Sequence, residues 1–147
     1  MLFALHRAAR GRADSSFAGA AAAFHREFAA YALAHGWLRL WFLELDGRPR
    51  AAWYGFRFAG VESYYQAGRD PECRDASVGF VLLAHSIRAA LDDGIREYRF
   101  LRGDEPYKYR FAESDPGLES IAVAHGASAR SALAALRLLR RMPIRRA

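Results

Sequence analysis

Apolar residues Phe17, Ala21, Phe24, Phe28 and Tyr31 recur at spacings of three and four, the stripe of an amphipathic helix. Gly36 stands where a left-handed C-terminal cap would end it. Trp37 to Leu45 is too apolar, too aromatic and too short for a surface helix. Asp46-Gly47 with Pro49 closes it, and Ala51 to Phe58 runs back beside it, which predicts a hairpin. After Ala59-Gly60, Val61 to Ala67 is expected to be a third strand, and Gly68 to Asp75, containing Pro71, a polar loop. The next pattern predicts a helix from Val78 to Asp93, capped by Ser77 and ended by Gly94, with Phe80, Leu83, Ala84, Ile87 and Leu91 facing the core. Glu97 to Leu101 reads as a strand. Pro106 then opens a short helix, since its missing N–H would lack a partner at a first helical position anyway. Leu118 to Ala124 is expected to be another strand, and Ala129 to Met142 a last helix stopped by Pro143.

The order is helix, three-strand meander, helix, strand, short helix, strand, helix. It predicts an α/β (α+β) fold: a mixed, mostly antiparallel sheet with helices on both faces. No repeat or linker divides the 147 residues, so one domain is expected over 1–147, with a basic tail at 137–147.

A content of 52% hydrophobic and 14% aromatic residues argues for a packed globule over a disordered chain. The single cysteine, Cys73, excludes an internal disulfide framework, and no cluster has zinc-ligand spacing, so no metal is expected. Met1 to Arg7 lacks a signal-peptide pattern. The alanine-rich stretch from Phe17 to Ala34 is broken by His25, Arg26 and Glu27 and cannot span a bilayer. A reducing, cytoplasmic setting is the expectation. The net charge of +6 points to anionic partners. Arg137, Arg140, Arg141, Arg145 and Arg146 crowd the C-terminus, which could grip RNA or an anionic membrane or be only a solubilising end. The lack of aromatic residues among them weakens the nucleic-acid case.

Lys108 is the only lysine beside 21 arginines. It lies where an apolar run meets Arg102-Gly103-Asp104-Glu105 and the Pro106 helix carries Tyr107, Lys108 and Arg110. Such a strand-to-helix elbow is where an α/β sheet commonly places its ligand site. A helix cap with a solvated charged face is the alternative.

The pieces Phe24-His25-Arg26, Gly36-Trp37-Leu38-Arg39-Leu40, Leu43-Glu44-Leu45-Asp46-Gly47-Arg48-Pro49, Tyr64-Tyr65-Gln66 and Phe100 to Lys108 resemble the CelD-type acetyltransferases of bacterial polysaccharide biosynthesis. These are relatives of the FemAB aminoacyl transferases within the GNAT N-acetyltransferase superfamily. The resemblance covers roughly residues 17 to 125, and Arg102 to Lys108 is its most specific part. It implies an acyl-CoA-dependent N-acyltransferase that moves an acetyl group from acetyl-CoA to an amine of a small molecule or sugar. Members usually carry a second GNAT-like half before this region, so the chain looks like a C-terminal half. A sheet edge left open would favour a homodimer.

GNAT enzymes hold the CoA pyrophosphate through Gln or Arg, two residues, Gly, one residue, then Gly or Ala. Here that position reads Arg74-Asp75-Ala76-Ser77-Val78-Gly79, with Ser77 in place of the first Gly. The resemblance thus assigns cofactor binding to Arg74, Ser77, Val78, Gly79 and Phe80. A helix N-terminus also favours an anion on physical grounds, although Asp75 opposes it. By the same resemblance Glu62 stands where a base acts and Tyr107 near a general-acid tyrosine; Lys108 is a further catalytic candidate that, with Arg102, could bind a carboxylate or phosphate of the acceptor or of CoA. Arg102, Asp104 and Glu105 are candidates for substrate binding; the two acids could equally cap the short helix. His85 and Cys73 are read as packing or incidental. The sheet is expected to splay between the strand ending near Ala67 and that of Glu97 to Leu101. The alternatives are a FemAB-like transferase using aminoacyl-tRNA and a non-catalytic GNAT-like interaction module.

Overall fold

The computed structural model describes residues 1–11, 15–73, 76–112, 117, 121 and 123–141, the side chains of 136–141 excepted. Two compact units are found, Met1–Lys108 and Tyr109–Ala147.

The first unit is built on two tight turns. Asp46 and Gly47 have φ of 53° and 68°, and Ala59 and Gly60 have 49° and 78°, the left-handed pairs that match the twist of a two-residue hairpin. They join β1 (Leu38–Leu45), β2 (Arg48–Phe58) and β3 (Val61–Arg69) into an antiparallel meander. β2 begins at Arg48, earlier than the expected Ala51. Pro49 pairs with Glu44 of β1, while β3 joins β2 only from Ala51, so the missing N–H of Pro49 falls outside that second ladder. β4 (Glu97–Arg99) adds parallel to β3, giving a mixed sheet in the order β1-β2-β3-β4.

Consecutive residues of β2 point to opposite faces, and Trp53 and Tyr54, both 1% exposed, mark the two sides. On the Tyr54 side lie α1 (Leu2–Arg10) and α2 (Gly19–Ala34), with Leu2, Phe17, Ala52 and Tyr54 as a buried cluster. α1 was not expected from the sequence. It rests directly on β3, because a Cβ at Gly68 would stand 2.4 Å from the His6 nitrogen. α2 buries Ala22, His25 and Ala32, whereas Phe24 and Tyr31 of the expected stripe are 58% and 51% exposed. Phe17, the first residue of that stripe, is fully buried but precedes the helix.

On the Trp53 side lies α3 (Val78–Asp92), which buries Val78, Leu82, Leu83, Ser86 and Ala90. Of the expected stripe only Leu83 is buried; Leu91 is 65% exposed. The buried line includes Ser86, whose hydroxyl is satisfied by the Leu83 carbonyl at 2.8 Å and Tyr98 Oη at 2.8 Å, so a polar residue is tolerated there.

In the second unit α4 (Ala127–Arg141) starts two residues before the expected Ala129. Of the expected strand Leu118 to Ala124, residues 118–120 and 122 lie outside the described residues; Ile121, Val123 and Ala124 are not in a strand.

Candidate active site

The sheet opens beside β3. Its parallel ladder with β4 runs only from Val61–Glu97 to Ser63–Arg99, while β3 itself continues to Arg69. Past Arg99 the chain turns away, and Leu101 takes a positive φ of 55°. On the other edge of β3 the register with β2 shifts between Tyr54 and Gly55: Gly55 faces Tyr64, and Tyr54 faces Gln66. Tyr65 is the extra residue of this bulge, and such bulges re-aim side chains. Tyr64 stacks on Trp53 at 5.7 Å on the α3 side. Tyr65 and Gln66 then both turn to the α1/α2 side.

There they meet two buried histidines. His25 Nε2 and Tyr65 Oη lie 3.3 Å apart. The Gln66 amide donates to Ser16 Oγ at 3.2 Å, so its carbonyl accepts from His6 Nε2 at 3.2 Å, and His6 Nδ1 is left to accept the Ser15 hydroxyl at 3.0 Å. Ser15 Oγ accepts the Phe17 N–H at 3.2 Å. Burial, chiefly, lowers the pKa of both His6 and His25 and keeps them neutral. A shallow hollow of about 360 Å³ on this side is lined by Arg7, Phe17, Ala18, Gly19 and Ala22, none of which belongs to the expected cofactor site.

The α3 side is charged and phenolic. Glu62 is 1% exposed, and its carboxylate accepts from Arg57 Nε at 2.8 Å and Nη2 at 2.7 Å; Arg57 also donates to Asp93 at 2.7 Å. Glu62, the candidate base, is therefore a buried ion-paired group and not a surface glutamate. Tyr98 is the ladder partner of Glu62 in β4, and burial pushes its phenol well up. Tyr64 is raised further, first by burial and then by neighbouring Tyr107, to which it hydrogen-bonds. Both phenols thus stay protonated and serve as donors.

The elbow is closed by Lys108. It is 6% exposed, and its ammonium donates to the Arg102 carbonyl at 2.6 Å and the Gly103 carbonyl at 3.2 Å, with Glu105 Oε2 at 2.8 Å. The ammonium is thus held by two backbone carbonyls and one carboxylate ion pair. Lys108 is accordingly a tie, not an outward cation reaching for a ligand. Lys108 in turn holds the Glu105 carboxyl below the usual range. Gly103, with φ of 104°, leaves room for that carboxylate, since a Cβ there would lie 2.3 Å from it. Arg102 and Asp104 are exposed on the same loop. Instead of a helix at Pro106, the backbone makes a turn followed by a 3-10 segment, Lys108–Arg110.

At the start of α3, Ser77 has φ 48° and ψ 31° and makes no side-chain cap hydrogen bond. It occupies the left-handed conformation that glycine adopts freely, so the serine keeps the backbone path of a glycine. The amides of Phe80 and Val81 bond to the Ser77 carbonyl at 2.8 and 3.1 Å. The Phe80 N–H is therefore not the phosphate donor expected, and Val78 and Gly79 are the amides with no partner inside the helix. A Cβ on Gly79 would meet only Arg69 Cδ, at 3.8 Å, which places the end of β3 beside the helix start. Arg74 lies outside the described residues. Sequence reasoning missed Arg57, Tyr64 and Tyr98; the Tyr64-Tyr65 doublet signals them only once the bulge is known.

The domain family described as Acetyltransferase (GNAT) domain matches residues 1–109, and the chain belongs to it. Among solved structures it is similar to an aminoglycoside acetyltransferase from an uncultured soil metagenomic sample in complex with sisomicin, at 15% identity and a TM-score of 0.53 over 86% of this chain and 84% of that one. A putative acetyltransferase from Agrobacterium tumefaciens str. C58 is 17% identical, with a TM-score of 0.51 over 70% of this chain and 78% of that one. The ribosomal-protein-S18-alanine N-acetyltransferase from Escherichia coli aligns at 15% identity and a TM-score of 0.49 over 63% of this chain, which spans about half, 53%, of that protein's length. No curated protein matches the chain.

Proposed function

We propose that the domain transfers an acetyl group from acetyl-CoA to an amine, with the thioester lying in the opening between β3 and β4. The carrying observation is the start of α3: a serine held in a glycine conformation, followed by Val78 and Gly79 amides, at the end of the strand where the sheet opens. That arrangement suits a pyrophosphate on the positive end of a helix dipole. Val78 and Gly79 bind phosphate oxygens, Ser77 shapes the loop, Phe80 borders it, and Arg74 supplies a cation.

In the reaction the acceptor nitrogen forms a bond to the acyl carbon and the carbon–sulfur bond breaks. The amine gives up a proton and the departing sulfur takes one. Tyr107 donates the proton to sulfur, and Tyr64, raised in pKa and bonded to it, keeps that hydroxyl aimed. Lys108 and Glu105 hold the elbow that carries Tyr107, while Arg102 and Asp104, exposed on that loop, contact the acceptor. Glu62, paired with Arg57, receives the amine proton only through an intervening group. The acceptor we favour, in keeping with the CelD-like sequence pieces, is a saccharide amine met in a reducing cytoplasm.

The test is a melting curve with acetyl-CoA, joined to turnover of amino sugars by wild type and Tyr107→Phe. Acetyl-CoA should raise the melting temperature of both proteins, and Tyr107→Phe should turn over about 10²-fold more slowly. No stabilisation by acetyl-CoA would leave a non-catalytic module, and stabilisation by aminoacyl-tRNA instead would favour the FemAB-like donor.

A further inference from the structure

Residues 1–119 carry 16 basic and 16 acidic side chains, whereas residues 120–147 carry six arginines and no acid. The whole net charge of +6 therefore belongs to the stretch that contains α4. We propose that α4 is a membrane-surface helix that lays this protein on an anionic lipid bilayer. This does not depend on the acyl-transfer reading.

The helix periodicity sorts its residues into two lines. Positions 129, 132, 133, 136 and 139 follow one another at helical spacing and hold Ala129, Ala132, Leu133, Leu136 and Leu139. Positions 130, 137 and 141 fall on an adjacent line, and all three are arginine. Arg140 interrupts the apolar line in the last turn. In the helix's first half Ser128, Arg130, Ser131, Ala132, Ala134 and Ala135 are exposed. Among the described residues no helix is long and apolar enough to cross a membrane, so a helix of this composition lies in the interface plane rather than spanning it. Charge complementarity names the surface, because six arginines without a carboxylate seek a dense array of phosphates. A single-stranded nucleic acid offers phosphates too, but its bases call for stacking platforms, and residues 120–147 contain no Phe, Tyr or Trp.

The full-length protein is sedimented with phosphatidylcholine vesicles, pure or with about one-third phosphatidylglycerol, a share that sets an anionic surface potential. Binding is expected only to the anionic vesicles and should weaken as salt is raised. Arg137→Gln with Arg141→Gln should weaken it roughly 25-fold, taking about fivefold per arginine. Leu133→Gln with Leu136→Gln should also weaken it. Circular dichroism checks that each variant keeps its helix; should the leucine variant lose it, the arginine variant, which leaves the apolar line untouched, still decides. Equal binding to neutral vesicles, or none to either, overturns the proposal. So does tRNA binding that outcompetes the vesicles and is unmoved by the leucine substitutions.

Discussion

Strand β3 buries a neutral polar network on one face and a charged, phenolic one on the other. Toward α1 and α2 the groups are imidazole, hydroxyl and carboxamide: His6 between Ser15 and Gln66, and His25 beside Tyr65. Toward α3 they are the Glu62 carboxylate on Arg57, with Tyr98 and Tyr64 close by. Neutral groups suffice to seal a helix onto a sheet, since they require only hydrogen-bond partners. A buried carboxylate costs several kcal/mol in desolvation unless it is well paired. The seam on the first face shows that the fold can be closed without charge, so the charge on the second face marks where chemistry is to be sought.

The largest effect should come from breaking the charged face. Glu62→Leu leaves Arg57 with Asp93 alone, and removing one partner of a buried pair generally costs about 3–5 kcal/mol. Because the Arg57 side chain keeps Asp93 and is 16% exposed, the lower end, about 3 kcal/mol, is expected from urea unfolding. A change near zero would show that the pair is replaceable by an apolar contact and would remove the contrast between the two faces.

Next in size is Gly68→Ala on the neutral face. The new methyl would stand 2.4 Å from the His6 nitrogen and 2.6 Å from the Leu5 carbonyl carbon, backbone atoms that cannot rotate away. α1 must lift, at about 1–3 kcal/mol. Limited proteolysis should then cut first within α1. Gly79→Ala meets only Arg69 Cδ at 3.8 Å and serves as the tolerated control. Equal losses for both glycines would mean that α1 does not press on β3 as described.

The four strands of the sheet and three of the helices, α2, α3 and α4, were legible because their signals are local, and Asp46-Gly47 and Ala59-Gly60 both adopt left-handed turns between the strands they separate. The buried lines of α2 and α3 were not, since apolar periodicity favoured Phe24 and Leu91 while tertiary contacts chose His25 and Ser86. A histidine or serine enters a core only where a partner awaits it, and those partners, Tyr65 and Tyr98, are 40 and 12 residues away. The same reason hid α1, whose anchor His6 bonds Gln66 across 60 residues. At the site, the residues of the elbow were singled out by composition, but the direction of Lys108 follows from the Arg102 and Gly103 carbonyls, which sequence does not display. Ser77 is a similar case: read as a side-chain cap, it makes no cap hydrogen bond and takes a left-handed backbone that its residue type does not announce.

The smallest effect, and the one that separates the faces without a change in packing volume, is that of pH. Burial lowers the pKa of His6 and His25 in the folded protein, with Gln66 partly opposing and Arg10 reinforcing the shift at His6. In the unfolded chain both titrate near the ordinary value of about 6.5. Below that pH the unfolded state binds more protons than the folded one, so stability is complete above about 6.5 and falls as pH drops toward the folded values. On the elbow the opposite kind of group is at work: the Lys108 ammonium lowers Glu105, whose contribution is present above the ordinary carboxyl pKa of about 4.3 and is lost only below it. Urea midpoints measured between neutral and acid pH should therefore decline in two steps, the histidine step first. His6→Gln with His25→Gln should flatten the first step and leave the second. A first step of full size in that double variant would place the titrating groups elsewhere and end the assignment of the neutral face to these two imidazoles.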